Sequence, residues 1–227
     1  MKFKNLAVAC LMVAAVAASA AAQTPPTPPT PPTLATPPAP HAMHAPQVAQ
    51  SATADRDAAV GHLERTRAEF LKSIEGLTDA QWKFKAAPDR WSIAEVAEHI
   101  AISEGTILGM IQTKMMQVPG PKPEERIADD KMLTGLVDRT SKFQAPEVLK
   151  PVNKWATKDA LVKDFNTARD NTIQFVKTTT EDLRAHGGPH PVFKMLDVHQ
   201  WILMISGHAE RHTLQIEEVK TAAGYPK

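Results

Sequence analysis

Cysteine is almost absent from this 227-residue chain: the single thiol, Cys10, lies in an apolar run near the N-terminus. Once that run is removed no thiol remains, which excludes disulfides, cysteine metal ligands and a cysteine nucleophile. Acidic residues are missing before Asp55, and neither charge dominates, with 26 basic against 25 acidic side chains. Discarding residues 1–54 takes away Lys2 and Lys4 and leaves 24 basic against 25 acidic groups, so no electrostatic footprint for nucleic acid is present. There is no convincing alternating run of strand length, and no second long apolar stretch follows the first. What is there is ordinary: 43% hydrophobic and 22% charged residues exclude a collagen, a disulfide-stapled miniprotein and a wholly disordered chain.

Lys2 and Lys4 precede an apolar stretch over 6–18, and Ala18-Ser19-Ala20-Ala21-Ala22 offers Ala-x-Ala cleavage sites before Gln23. This pattern predicts a signal peptide over 1–22, hence a periplasmic or secreted protein with no stable membrane insertion after cleavage. Lipidation of Cys10 is the rival. Against it, Ala7-Val8-Ala9-Cys10 lacks a leucine at the third position before the cysteine and has few apolar residues ahead of it. Ten of the 19 prolines fall between positions 23 and 50, and the Thr-Pro-Pro repeats read as extended polyproline II. A Pro/Thr/Ala-rich linker over 23–54 is therefore expected, with His41 and His44 as solvated side chains. The remaining 173 residues, 55–227, suffice for one domain with a real core.

From Asp55 onward apolar residues recur at helical spacing, so the domain reads as all-α. A first helix is predicted over 56–76, with Val60, Leu63, Arg67, Phe70, Leu71 and Ile74 inward and Gly76 as its stop. A second starts from Ser92, which forms a capping box with Glu95, and runs to Gln117 ahead of Pro119, Pro121 and Pro123. The long segment 124–155 is expected to carry a short helix over 125–140 and to act as a surface excursion or lid. A third helix is predicted over 158–183, with Leu161, Phe165, Ala168, Thr172, Phe175 and Val176 inward, before a break at Gly187, Gly188, Pro189 and Pro191. The last begins near Asp197, capped with Gln200, and ends around Ala223-Gly224. Four long amphipathic helices define a four-helix bundle with one long connection between the second and third.

The inward seam of the last helix runs Trp201, Ile205, His208, His212, Gln215, Val219. His208 and His212 are thus one turn apart on one face. In the second helix Val96, His99, Ser103, Ile107 and Met110 form the matching stripe, so three imidazoles face one interior. A lone inward histidine is ordinarily satisfied by a carbonyl or carboxylate. An i, i+4 pair instead matches two-point metal binding, as in zincins, which need a third ligand from elsewhere.

The segment Arg90-Trp91-Ser92-Ile93-Ala94-Glu95-Val96-Ala97-Glu98-His99-Ile100 resembles the start of the second helix of DinB-like (DinB/YfiT) proteins. His208-Ala209-Glu210-Arg211-His212-Thr213-Leu214-Gln215-Ile216 is similar to their final-helix signature, and His190-Pro191, Leu196-Asp197 and Gln200-Trp201 resemble its lead-in. The resemblance spans 56–221. It implies a four-helix bundle holding a divalent metal, zinc or nickel in many members, through His99, His208 and His212. It also implies frequent homodimers, with thiol-dependent S-transferases and isomerases among characterised relatives.

Three neutral imidazoles would leave a divalent ion with an open position, the arrangement of a catalytic site, where a water or thiol becomes a nucleophile near neutral pH. Glu95 and Glu210 are candidates to orient ligands or shuttle protons, although helical phase turns Glu210 toward solvent. Arg211 is a candidate for an anionic substrate or, on the blander reading, a surface ion pair. His186, His190 and His199 read equally as mouth residues or as plain loop and cap residues. Met110, Met115, Met116, Met195 and Met204 read as packing. Trp91 and Trp201 read as core anchors holding the histidine helices together. The function expected is that of an exported metal-dependent hydrolase or transferase acting on a small molecule. The alternatives are a non-catalytic metal- or ligand-binding module and histidines that merely stabilise the bundle.

Overall fold

The computed structural model describes residues 45–227. The expected signal peptide, Cys10, His41, His44 and the Thr-Pro-Pro repeats lie outside the described residues. In chain order the elements are α1 (Ala45–Ile74), α2 (Asp79–Lys83), α3 (Ile93–Thr113), α4 (Asp129–Val137), α5 (Lys158–Thr178), β1 (Gly187–His190), β2 (Lys194–Asp197) and α6 (Val198–Lys220). The four long helices expected from periodicity are α1, α3, α5 and α6. Gly76, at φ 66°, follows the end of α1 in the left-handed conformation that glycine adopts without strain.

Several boundaries differ from the sequence reading. Helix α1 starts at Ala45, inside the stretch expected to be linker. Its first turn tolerates Pro46, and the alanines that follow favour helix. Thr78 and Gln81 form a capping box that starts the short α2 between α1 and α3. Helix α5 stops at Thr178 rather than 183, ahead of further β-branched Thr179 and Thr180. The Gly/Pro-rich break is an antiparallel hairpin pairing Gly187 with Asp197 and His190 with Lys194. Its strands are four residues long and the first begins with two glycines, so they carry no alternating signal. Backbone from another segment runs beside it: Gly187 donates its N–H to the Val118 carbonyl at 3.0 Å. At Gly120 a Cβ would lie 2.7 Å from the Arg184 carbonyl oxygen, so this approach requires glycine.

Around the bundle the neighbours run α1, α6, α3, α5 and back to α1. Consecutive long helices α1 and α3 therefore face one another across the diagonal, and each packs against α5 and α6. Helix α4 lies on the outside of α6, where Gly207 leaves room for Leu133 and Leu136. This position gives α6 cover on several sides and explains why most of its length is buried.

The core divides into two apolar clusters. One gathers Leu63, Ile107, Ile111, Ile173, Trp201 and Ile205, and the other Phe70, Ile74, Val96, Ile100, Phe165 and Ile216. Along each helix the residues between the clusters are polar and buried: Thr66 on α1, Ser103 and Glu104 on α3, Arg169 and Thr172 on α5, Ser206 on α6. Arg169 is fully buried, although the inward stripe predicted for α5 ran through Ala168 instead. Its Nε donates to Glu104 Oε2 at 2.9 Å and Nη2 to Glu104 Oε1, while Nη1 reaches the Leu63 carbonyl and Thr66 Oγ1, the latter at 2.9 Å. One side chain thus ties three helices. Glu104→Ala would strand this guanidinium away from water, and chemical denaturation should show a loss of about 3–5 kcal/mol. A loss below about 1 kcal/mol would mean that the pair is not a structural tie.

Candidate metal centre

Two capped helices set the phase of the histidines. Ser92 Oγ accepts the Glu95 N–H at 3.2 Å while Glu95 Oε2 accepts the Ser92 N–H at 2.7 Å, so α3 begins where the capping box predicts. Asp197 and Gln200 close the same box on α6. From these starts His99 on α3 and His208 and His212 on α6 point into the space between adjacent helices.

The three imidazoles converge. Their candidate ligand atoms all lie within 4.8 Å of one another. The Nε2 atoms of His99 and His208 are 3.0 Å apart, and ring centroids are separated by 4.8 Å (His99–His208), 4.5 Å (His99–His212) and 4.4 Å (His208–His212). Bonds of about 2.0–2.1 Å to one tetrahedral cation would place ligand nitrogens roughly 3.3 Å apart, close to the 3.0 Å between the Nε2 atoms of His99 and His208. His99 is buried, whereas His208 and His212 are partly buried. Trp91 stands beside His99 with ring centroids 5.0 Å apart.

Hydrogen bonds to the outer nitrogens decide which atom His99 and His212 offer. His99 Nδ1 lies 2.7 Å from the Leu149 carbonyl, which can only accept, so Nδ1 carries the proton and the Nε2 lone pair faces inward. His212 Nδ1 meets Gln215 Oε1 at 2.8 Å, with the same consequence. Gln215 is backed by Arg139, whose Nη1 is 3.5 Å from the same oxygen and whose Nε and Nη2 grip Glu218 at 2.5 and 2.7 Å. Such outer partners orient the ligands of metal-binding histidines.

Desolvation keeps these rings neutral. Burial is the largest cause for all three: it lowers His99 against the opposing Leu149 hydrogen bond and takes His208 well below its ordinary value. His212 falls to about 3, with the His99 charge as the next contribution. At His99 and His212 a neutral ring with its lone pair turned inward is the kind of donor that a divalent cation needs.

The other candidates are engaged elsewhere. Glu95 is held by its cap and by Lys85 at 2.8 Å, and Glu210, expected to be solvated, pairs with Arg65 at 2.7 Å. Arg211 makes no surface ion pair. It is buried and donates to the carbonyls of Leu136 at 3.0 Å, Asp138, and Ser141 at 2.5 Å, fastening the chain after α4. His186 lies 3.8 Å from Glu181, and His190 stacks on Phe193 and accepts two backbone N–H groups of its own turn. His199 is 2% exposed and 3.6 Å from Asp129. Trp201, buried in the apolar cluster that also holds Ile107 and Ile111 of α3, donates its Nε1–H to the Gly188 carbonyl of the hairpin at 3.1 Å. Residues that sequence reasoning passed over are Glu98, Arg139 and the Leu149 carbonyl.

A diagonal four-helix bundle with three histidines drawn from two adjacent helices defines the class. Residues 62–216 match the DinB superfamily, and the chain belongs to that family. It is 29% identical over 154 residues to the uncharacterised protein YuaE of Bacillus subtilis (strain 168), covering 68% of this chain and 92% of that one. The solved structure of YfiT from Bacillus subtilis, described as a probable metal-dependent hydrolase with an unusual four-helix bundle topology, is also similar. That match has a TM-score of 0.50 at 17% identity, over 75% of this chain and 89% of the other.

The depressed histidines make metal-free stability depend on pH. An unfolded histidine takes up a proton near pH 6.5, whereas His212 resists until about 3, so acidification favours the unfolded state. Thermal midpoints of metal-free protein should therefore fall between about pH 7 and pH 4, and His212→Asn should flatten the slope. Identical slopes in the two proteins would show that these rings do not control acid stability.

Proposed function

We propose that His99, His208 and His212 hold one divalent cation, zinc or nickel, and that the chain uses it to hydrolyse a small-molecule substrate. The convergence of three neutral imidazoles, two of them with outer partners that turn their lone pairs inward, carries this reading. Imidazole suits both metals, and three protein ligands leave a position for substrate. When bound, the cation supplies Lewis acidity there. The protein holds His99 and His212 in the required tautomers through Leu149 and Gln215. The structural likeness to a probable metal-dependent hydrolase supports the same class.

Export through the signal peptide over 1–22, to the periplasm or exterior, belongs to the proposal. It favours hydrolysis over thiol transfer, because low-molecular-weight thiols are scarce outside the cytoplasm. No helix among the described residues is long and apolar enough to cross a membrane.

A second reading, a non-catalytic binding module, has one observation in its favour. Every carboxylate on α3 and α6 has another partner: Glu95 its cap, Glu98 a loop, Glu104 Arg169, Glu210 Arg65, Glu217 Lys220 and Glu218 Arg139. None is left free as a general base.

Elemental analysis of untagged protein should find one tightly held ion per chain, lost in His99→Ala and in His212→Ala. Substrate screening with and without added thiol should then show metal-dependent hydrolysis that needs no thiol. Bound metal with no turnover under either condition would leave the binding module standing, and no bound metal would defeat both readings.

A further inference from the structure

The two residues that immediately precede metal-centre histidines grip the same stretch of chain from opposite sides. Arg211, before His212, takes carbonyl oxygens of Leu136, Asp138 and Ser141. Glu98, before His99, takes backbone N–H groups: Val152 at 2.8 Å, Asn153 at 3.1 Å and Lys154 at 2.9 Å. Between the two grips lies Leu149, whose carbonyl oxygen meets His99 Nδ1.

Glu98 is 5% exposed, and its carboxylate is placed where three successive donors converge. Asn153 adopts φ 59°, a left-handed conformation that helps turn neighbouring N–H groups to one side and makes an anion-binding concavity. Charge-assisted bonds of this kind are about twice as strong as neutral ones. Around it, one 3-10 turn at Glu147–Leu149 precedes irregular backbone, Val148 and Val152 are 69% and 70% exposed, and another side-chain tie is Trp155, beyond the Glu98 grip, whose Nε1–H donates to Asp164 at 2.7 Å. The Leu149 carbonyl stays over His99 because the chain three residues further on is fastened to the side chain next to His99. Without that fastening, Nδ1–H loses its acceptor, and the ring is free to move its proton to Nε2, the nitrogen that has to be bare to bind a cation.

We infer that Glu98 is a positioning residue of the metal centre: by fastening residues 152–154 it keeps the Leu149 carbonyl on His99 Nδ1 and so fixes the tautomer that presents Nε2. Its geometric half stands on the hydrogen bonds alone, and its consequence for metal affinity rests on the proposed function. Glu98 neither touches the cation nor acts on substrate.

The test compares wild-type, Glu98→Ala and Glu98→Gln full-length chains. Ring ¹⁵N chemical shifts of His99 in metal-free protein report the tautomer, and competition against a chromophoric chelator reports zinc affinity. Wild-type His99 should be protonated at Nδ1. In Glu98→Ala the shifts should move toward the Nε2–H form, and zinc should bind about 10–100-fold more weakly while cooperative unfolding is retained. Glu98→Gln keeps one accepting oxygen and should fall between the two. If the alanine variant does not fold, the same two measurements on Glu98→Gln decide the matter. A folded variant with wild-type ring shifts and zinc affinity within about twofold of wild type would overturn the inference. A wild-type chain that binds no zinc would defeat the proposed function instead, and the ring shifts would still decide the role of Glu98.

Discussion

A guanidinium cut off from water has to find all its partners inside the protein, and the arrangement of the bundle follows from where Arg169 finds them. Its four hydrogen bonds reach Glu104 on α3 and Leu63 and Thr66 on α1, so two diagonal helices are held in register by a side chain from a third. Apolar packing alone tolerates sliding of one helix along another, whereas a buried ion pair with fixed hydrogen-bond geometry does not. Helix α3 is thereby set in height, and His99 with it. Helix α6 fits the remaining groove between α1 and α3, with Ser206 beside the polar layer and His208 just beyond it.

The site above this layer obeys a second constraint. An imidazole offers a metal one lone pair only if its other nitrogen carries the proton, and that proton needs an acceptor once the ring leaves water. His99 finds a main-chain carbonyl and His212 a side chain one turn along its own helix. The two solutions differ in what they demand of the fold. Gln215 comes with the helix, while Leu149 has to be brought by a connection of more than forty residues between α3 and α5, which explains why charged side chains are spent on fastening that connection.

Much of this was legible in the amino-acid order, for identifiable reasons. Ser92 with Glu95 and Asp197 with Gln200 announce helix starts because a capping box is written in adjacent residues. The spacing of His208 and His212 places them on one face whatever surrounds them. Arg169 was not legible, because periodicity assigns inward positions to apolar residues and a charged one gives no sign of having a buried partner. The hairpin was hidden by its glycines and proline. Leu149 acts through its carbonyl, which every residue possesses, so no letter could mark it. Arg211 looked like a surface cation because its partners are main-chain oxygens supplied by another part of the chain.

The diagonal placement of α1 and α3 also has a bearing on synthesis. His99 and His208 are 109 positions apart, and both imidazoles that face His99 belong to the final helix. A nascent chain that has emerged from the ribosome only as far as α5 owns a single imidazole of the trio and has no way to chelate. On the proposed function, capture of a cation by the three rings therefore has to wait until the last helix has docked.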